Sequence, residues 1–275
     1  MTIHAHVTTA LLLVAGTGSR LRPLTMDAPK CLTEVGGLPI LERLVRNLRD
    51  QGIERLVVVI GHMGAHIRDF LDSRASGMQV DYIYSPHYRT TNNIYSLWLA
   101  REQIQEPFLL VESDLVFDAS MLTEMLQPDR IAVSRIRSWM NGTTVTVGPR
   151  QRVTAFQVGG VEGVENNMPR YKTVNVYSLS PPTWDMAKKR LAQYISEGRV
   201  NEYYESVFAD MVADGMLSLE TVFFDPDHWY EIDTIVDLNE ADRMFSEPSQ
   251  AHVGPDVHHL LTSAIDSLPL AASND

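Results

Sequence analysis

The chain has 275 residues, 44% of them hydrophobic, and carries a net charge of −12 from 35 acidic and 23 basic side chains. That length builds one large α/β domain or two small ones, and the acidity argues against nucleic acid and against an anionic membrane surface as partners. The single cysteine, Cys31, leaves no intrachain disulfide and no cysteine-based metal site, and fits a reducing cytoplasm.

In chain order, the N-terminus MTIHAHVTT has no basic n-region, and Leu11–Ala15 is too short for a signal-peptide core. Nowhere is an apolar run long enough to cross a membrane. Leu11–Ala15 instead has the pattern of a central parallel strand buried on both faces. Pro39–Arg49 places Ile40, Leu41, Leu44, Val45 and Leu48 on a helical stripe. Gly52 ends it, and Arg55–Ile60 is a second strand. Ala65–Phe70 opens a helix, Val80–Tyr84 is a third strand, and Asn93–Gln103 is a helix that Asn92 or Asn93 caps. Pro107–Val111 is a fourth strand, ending at Glu112-Ser113-Asp114. The alternation predicts an α/β fold with a doubly wound, mostly parallel sheet.

The second half changes character. Ile131–Arg137, Thr143–Val147, Val153–Val158 and Thr173–Leu179 read as short strands of a smaller mixed-β subregion covering the sheet's C-terminal edge. Helices at Pro182–Glu197 and Tyr204–Asp214, a strand at Leu219–Phe223, the segment His228–Asp233 and a helix from Thr234 to Phe245 follow. The organisation is one domain over residues 1–246 and a loosely held tail over 247–275, in which Val257–Leu268 is a candidate docking helix. The sequence leaves the oligomeric state open, with a homo-oligomer compatible.

Gly16 and Gly18 follow the first strand and precede Arg20, Arg22 and Lys30. Glycine there permits positive φ and close approach of backbone N–H groups to phosphate oxygens. A dinucleotide fingerprint requires a third glycine where Leu21 stands, and no Gly-Lys-Ser/Thr of a P-loop is present. Arg20 is suited to fork onto β- and γ-phosphate oxygens, and Lys30 to place a point charge on the α-phosphoryl group. The loop is a locally basic site in an acidic protein.

The run Ala15-Gly16-Thr17-Gly18-Ser19-Arg20-Leu21, then Pro23-Leu24-Thr25 and Pro29-Lys30-Cys31-Leu32, resembles the signature of the sugar-phosphate and choline-phosphate nucleotidyltransferases. The resemblance extends over roughly Ala10 to Phe245. It implies a Rossmann-like nucleotidyltransferase fold, a triphosphate wrapped by Ala15–Ser19, and catalytic roles for Arg20 and Lys30. It also implies Mg²⁺ on Asp114 and Asp233. Taken alone, each aspartate equally suits a cap or a turn, Asp233 before Thr234 especially. Glu231 is set aside as a residue of the opposite strand face.

Lys172-Thr-Val-Asn-Val-Tyr177 resembles a stretch of the phosphonate cytidylyltransferases, which activate 2-aminoethylphosphonate and related acids with CTP; Asn201–Glu205 is similar to them as well. Trp229–Thr234 and Asn92–Ser96 are shared with the choline-phosphate enzymes. The resemblance implies that Lys172 binds the acceptor's phosphate group, with Asn175 beside it. Glu202, Tyr203, Tyr204 and Glu205 offer carboxylates and aromatic faces to an ammonium group, although the tyrosines equally suit helix packing. Asn93 and Ser96 are expected near the nucleotide. The expected reaction is cytidylyl transfer from CTP to a phosphonate. Choline phosphate or a sugar 1-phosphate is the alternative acceptor.

Overall fold

The structure is a computed structural model that describes residues 6–159 and 169–246; the expected tail over 247–275 lies outside the described residues. In chain order the strands are β1 (Thr9–Val14), β2 (Glu34–Val35), β3 (Leu38–Pro39), β4 (Arg55–Ile60), β5 (Gln79–Tyr84), β6 (Phe108–Glu112), β7 (Leu115–Phe117), β8 (Arg130–Ser134), β9 (Thr144–Val147), β10 (Val153–Gln157), β11 (Arg170–Leu179), β12 (Glu220–Phe224) and β13 (Trp229–Glu231). The helices are α1 (Ile40–Asp50), α2 (Gly64–Arg74), α3 (Asn93–Leu99), α4 (Pro181–Ser196), α5 (Tyr204–Ala213) and α6 (Ile235–Phe245).

β1 pairs in parallel with β4 on one side and β6 on the other, and β4 pairs in parallel with β5. Both faces of β1 are therefore covered, which is why it reads as an unbroken apolar run. Leu12 and Val14 join one core with Leu41, Leu44 and Leu48 of α1 and Ile67 and Leu71 of α2. Leu11 and Leu13 join a second core with Ile94 and Leu97 of α3, Trp184 of α4 and Phe208 of α5. The sheet is thus doubly wound, as the pattern predicts.

The second half does not form a layer over the sheet edge. It extends the same nine-stranded sheet, in the order β5-β4-β1-β6-β11-β9-β10, with β8 joining β11 to the edge strand β12. The organiser is β11, which is longer than its apolar pattern suggests. Its C-terminal half pairs antiparallel with β6, its N-terminal half pairs with β9, and its register against β8 shifts between Thr173 and Tyr177. One bulged strand therefore serves three neighbours.

The short strands β2, β3 and β7 escaped the sequence pattern. β2 and β3 form a hairpin, and β7 pairs antiparallel with β13, with Tyr230 opposite Val116. Around them Leu21, Val35, Ile40, Val116, Tyr230, Ile232 and Ala241 make a third small core beneath α6. The β2–β3 turn locks onto the end of α6: Gly36 N donates to Asp242 Oδ1 at 2.8 Å. Gly36 has φ +59, and a Cβ there would lie 2.4 Å from the Phe245 carbonyl oxygen.

Gly36→Ala therefore meets both backbone strain and a clash with main chain. It is expected to lower the unfolding free energy by about 2 kcal/mol or more. Gly37→Ala, at φ +72 with no atom within 4 Å of the new Cβ, is expected to cost about half as much. Urea unfolding of the two variants checks the ranking; equal losses would contradict it.

Candidate active site

The chain reverses sides at β1. It moves outward through α1, β4, α2 and β5, then returns by α3 on the other face to β6. The loops leaving the C-terminal ends of the adjacent strands β1 and β6 emerge side by side at this switch point, where sheets of this kind bind ligands. A cleft of about 590 Å³ lies there, lined by Leu13–Arg20, Pro29–Cys31, Glu112–Asp114 and residues from the second half of the chain.

The loop after β1 folds back on itself. Gly18, at φ 60, precedes a single 3-10 turn over Ser19–Leu21. A Cβ at Gly18 would sit 2.7 Å from Lys30 Cβ, and Thr25 Oγ1 donates to the Gly18 carbonyl at 2.8 Å. The start of the loop thus touches its end, and the ammonium of Lys30 is delivered beside the glycines. Positive φ is confined to Gly18. Gly16, expected to share it, does not; a Cβ there would meet nothing within 4 Å, since Gly16 opens on the cleft.

Across the crevice, Ser113 Oγ donates to the Leu13 carbonyl at 2.9 Å, tying the β6 loop to β1. The chain then enters β7, whose partner β13 brings Asp233 to Asp114; Ile232 N donates to the Asp114 carbonyl at 2.9 Å. Asp233 is not the cap of α6. Thr234 caps it, with Asp237 Oδ2 accepting from Asp233 N, Thr234 N and Thr234 Oγ1. The Asp233 carboxylate is left to face the cleft.

Lys30 Nζ lies 2.8 Å from Asp114 Oδ2 and 2.9 Å from Asp233 Oδ1, and Arg20 Nη2 lies 2.7 Å from the same Asp233 oxygen. Burial alone would lower the Lys30 pKa, but the two carboxylates outweigh it and hold the ammonium above its ordinary value. Asp114 Oδ1 is buried and accepts no hydrogen bond.

The inner end of the cleft is acidic. Lys172, 1% exposed, donates to the Thr173 carbonyl at 2.6 Å and pairs with Glu231 Oε2 at 3.0 Å. Glu231 Oε1 accepts from Asn175 Nδ2 at 3.0 Å. Asn175 sits at the β11 register shift with φ 58, a left-handed conformation asparagine tolerates. Asn93 bridges three elements: its Nδ2 donates to Glu112 Oε1 at 3.1 Å and its Oδ1 accepts from Tyr204 N at 3.0 Å. The α3 cap is Asn92, whose side chain accepts from Asn93 N at 2.8 Å.

Beside them lies Glu205, 5% exposed, whose Oε2 is buried and accepts no hydrogen bond. Burial pushes the Glu205 carboxyl up to about 7, against the pull of Lys172. Burial likewise raises Glu112, reinforced by Asp114 and Glu205, and raises Glu231 despite Lys172.

Most of the residues singled out in the sequence line this one cleft: Ala15–Arg20, Lys30, Asn93, Ser96, Asp114, Lys172, Asn175, Tyr203 and Asp233. Two acceptor candidates do not. Glu202 faces away and is held by Arg199 at 2.6 and 3.0 Å. Tyr204 is fully buried against Tyr177 and Phe208, with ring centroids 5.8 and 5.4 Å apart. Because α5 begins at Tyr204, residues 204 and 208 share its inner face. Glu231, set aside in the sequence, faces the cleft. It is two residues from Asp233, and strand alternation puts both on one side. Asn141 and Gly142, from the loop between β8 and β9, also line the cleft; no pattern in the sequence marked them.

A divalent ion suits the aspartate pair. Asp114 and Asp233 offer two hard oxygen donors at one point, one of them with the unpartnered Oδ1, and a triphosphate and water complete such a shell. Among the described residues no group of three or more His, Cys, Asp or Glu side chains is placed to hold a metal.

Residues 10–156 match the model of the MobA-like NTP transferase domain, and the chain belongs to that family. It is 30% identical over 262 residues to the CMP-5'-(3-aminopropyl)phosphonate synthase of Streptomyces rubellomurinus, a match covering 88% of this chain and 39% of that protein. It is 25% identical to the 2-aminoethylphosphonate cytidylyltransferase of Lancefieldella rimae, covering 78% of this chain and 82% of that one. The CTP:phosphocholine cytidylyltransferase structure from Streptococcus pneumoniae shares the fold, with a TM-score of 0.75 at 21% identity over 87% of this chain and 99% of that one. The chain spans less than half the length of several curated relatives it matches. No helix among the described residues is long and apolar enough to cross a membrane.

The raised Glu205 carboxyl has a consequence for stability. Its folded pKa exceeds its unfolded value near 4.5, so its protonated form is favoured in the folded state. The associated stabilisation is complete below that unfolded value and is lost as pH rises to about 7. Glu205→Gln keeps a neutral side chain throughout. It is expected to raise the Tm relative to wild type at pH 8 and not at pH 4; a pH-independent difference would mean that Glu205 titrates normally.

Proposed function

We propose that the protein is a cytidylyltransferase that transfers CMP from CTP to an aminoalkylphosphonate and releases pyrophosphate. The nucleotide follows from the relatives, whose names specify cytidylyl products. The observation that carries the acceptor is Glu205 Oε2, a buried acceptor atom without a donor, on a residue that lines the cleft together with Glu112 and Glu231. A primary ammonium group brings both positive charge and N–H donors to it. A trimethylammonium head brings no donor and is ordinarily held by aromatic faces. Here Tyr204 is spent in the core, and of the two expected tyrosines Tyr203 alone lines the cleft, 49% exposed.

The chemistry requires little of the protein beyond alignment and charge. A phosphonate oxygen of the acceptor attacks the α-phosphorus of CTP. The new P–O bond forms as the bond to the β-phosphate's bridging oxygen breaks, and pyrophosphate leaves with that electron pair. The acceptor oxygen is already anionic, so no base is needed. The buried carboxylates are free to hold the acceptor instead. Lys30 and Arg20 neutralise the triphosphate, backbone N–H groups of Gly16–Ser19 cradle it, and Lys172 orients the phosphonate. Mg²⁺ held by Asp114 and Asp233, when bound, supplies further charge neutralisation at the phosphates.

A pyrophosphate-release screen of the four nucleoside triphosphates against 2-aminoethyl- and 3-aminopropylphosphonate, phosphocholine and sugar 1-phosphates tests the assignment. CTP with an aminophosphonate is expected to turn over fastest; no turnover of any phosphonate would sink it. Lys30→Ala is expected to lower kcat by about 100-fold or more, and an unchanged kcat would remove Lys30 from the reaction.

Glu205→Gln sharpens the acceptor. Losing a charge-assisted hydrogen bond should raise the KM for 3-aminopropylphosphonate about tenfold or more, with propylphosphonate unaffected. Equal losses on both acceptors would mean that Glu205 does not read the amine.

A further inference from the structure

We propose that Lys30 is the resident cation of the aspartate pair: its ammonium holds Asp114 and Asp233 in the free protein and must move to the triphosphate before a divalent ion can enter. The inference rests on reading these aspartates as the cation-binding pair. Nζ lies within 2.9 Å of one oxygen from each carboxylate, so a single side chain bridges both. Arg20 adds a second positive charge on the Asp233 oxygen that Lys30 uses. Two carboxylates face two cations, and the cluster is neutral without a metal.

A divalent ion held between the two carboxylates would occupy the space the ammonium bridges. The two cannot share it, because a monocation and a dication in contact repel strongly where solvent is largely excluded. The Lys30 side chain is 17% exposed and those of Asp114 and Asp233 are 22% and 11% exposed, so water screens this contact poorly. Displacing Lys30 without a new anion would also strand a buried charge.

The backbone allows exchange by side-chain motion alone. Lys30 opens a 3-10 turn whose next residue, Cys31, is buried, and the Lys30 Cβ packs on Gly18. Lys30 lines the cleft together with the loop from Gly16 to Arg20, so the ammonium can swing from that anchor toward the loop. An entering triphosphate would offer Lys30 and Arg20 more negative charge than the aspartates do, freeing both carboxylates as the ion arrives. Metal and nucleotide binding are then coupled reciprocally.

The test is binding of Mn²⁺ alone, without nucleotide, followed by electron paramagnetic resonance on the full chain. Wild type is expected to bind weakly. Lys30→Met, which keeps the aliphatic packing on Gly18, should bind Mn²⁺ more tightly by about tenfold, within the usual range of site-to-site coupling. Lys30→Gln is the second variant should the first fold poorly, and the exposed Arg20→Gln should give a smaller gain. Adding Asp114→Asn to Lys30→Met should abolish the gain.

A Lys30 variant that binds Mn²⁺ no better than wild type, including no binding by either, overturns the proposal. So does a gain that survives Asp114→Asn. The outcome is independent of the acceptor screen: a protein inert toward every phosphonate that still shows the gain keeps the exchange and loses the proposed acceptor.

Discussion

The parallel pairing of β1 with β4 on one side and β6 on the other is the constraint from which the site follows. It buries both faces of β1, and so demands an unbroken apolar run from Ala10 to Val14. It also forces the chain to wind outward on one face and return on the other, and it sets the loops after β1 and β6 side by side at the same sheet end. The glycine loop hangs from one lip and Glu112-Ser113-Asp114 from the other. The bond from Ser113 to the Leu13 carbonyl fixes their relative position. Asp233 is brought in only because β7, immediately after Asp114, pairs with β13. A pair of three-residue strands thus closes a contact between residues far apart in the chain.

The cleft separates into two electrostatic zones. At the loop, Lys30 and Arg20 balance Asp114 and Asp233. At the inner end, Lys172 alone faces Glu112, Glu205 and Glu231, and burial raises all three carboxyls. Such crowding of buried acids is costly to a folded protein. Together with the left-handed Asn175 it marks a region where local stability has yielded to another requirement. The proposed zwitterionic acceptor would satisfy both ends of that zone, with its anion toward Lys172 and its cation toward the acids. The same reasoning explains why an acidic protein concentrates its basic loop residues where a triphosphate would enter: elsewhere the net charge of −12 repels such a ligand.

What was legible in the sequence tracks how local the determinants are. In the parallel half β1, β4 and β6 were readable because both-face burial writes itself as continuous apolar runs, and Arg55–Ile60 matches residue for residue. The loop was readable because the need for Gly18 arises within the loop, from its φ and its contact with Lys30. The second half was less so. β11 serves three partners through a bulge, and no periodicity announces a bulge. β7 and the β2–β3 hairpin are too short to carry a pattern. Asp233 looked like a helix cap because the capping box involves Asp237, which is visible only once α6 starts at Ile235. Tyr204 and Glu202 were placed at the acceptor by proximity in sequence, whereas the start of α5 turns Tyr204 inward and leaves Glu205 at the cleft. Glu231 was within reach of the alternation rule that binds it to Asp233.

The proposed catalytic and acceptor-selecting parts consequently sit on different elements. The triphosphate loop and the aspartate pair depend on β1, β6, β7 and β13. The acceptor end depends on β11, on the start of α5 and on Asn93, which ties α3 to both β6 and α5. Substitutions on α5 can therefore alter the charge presented to the acceptor without moving Lys30 or its carboxylates. Glu231 is the exception, since it shares a strand with the approach to Asp233 while holding Lys172. A change there would disturb both ends at once. That single strand couples the choice of acceptor to the chemistry, and it is where the freedom to vary the acceptor on this fold should be smallest.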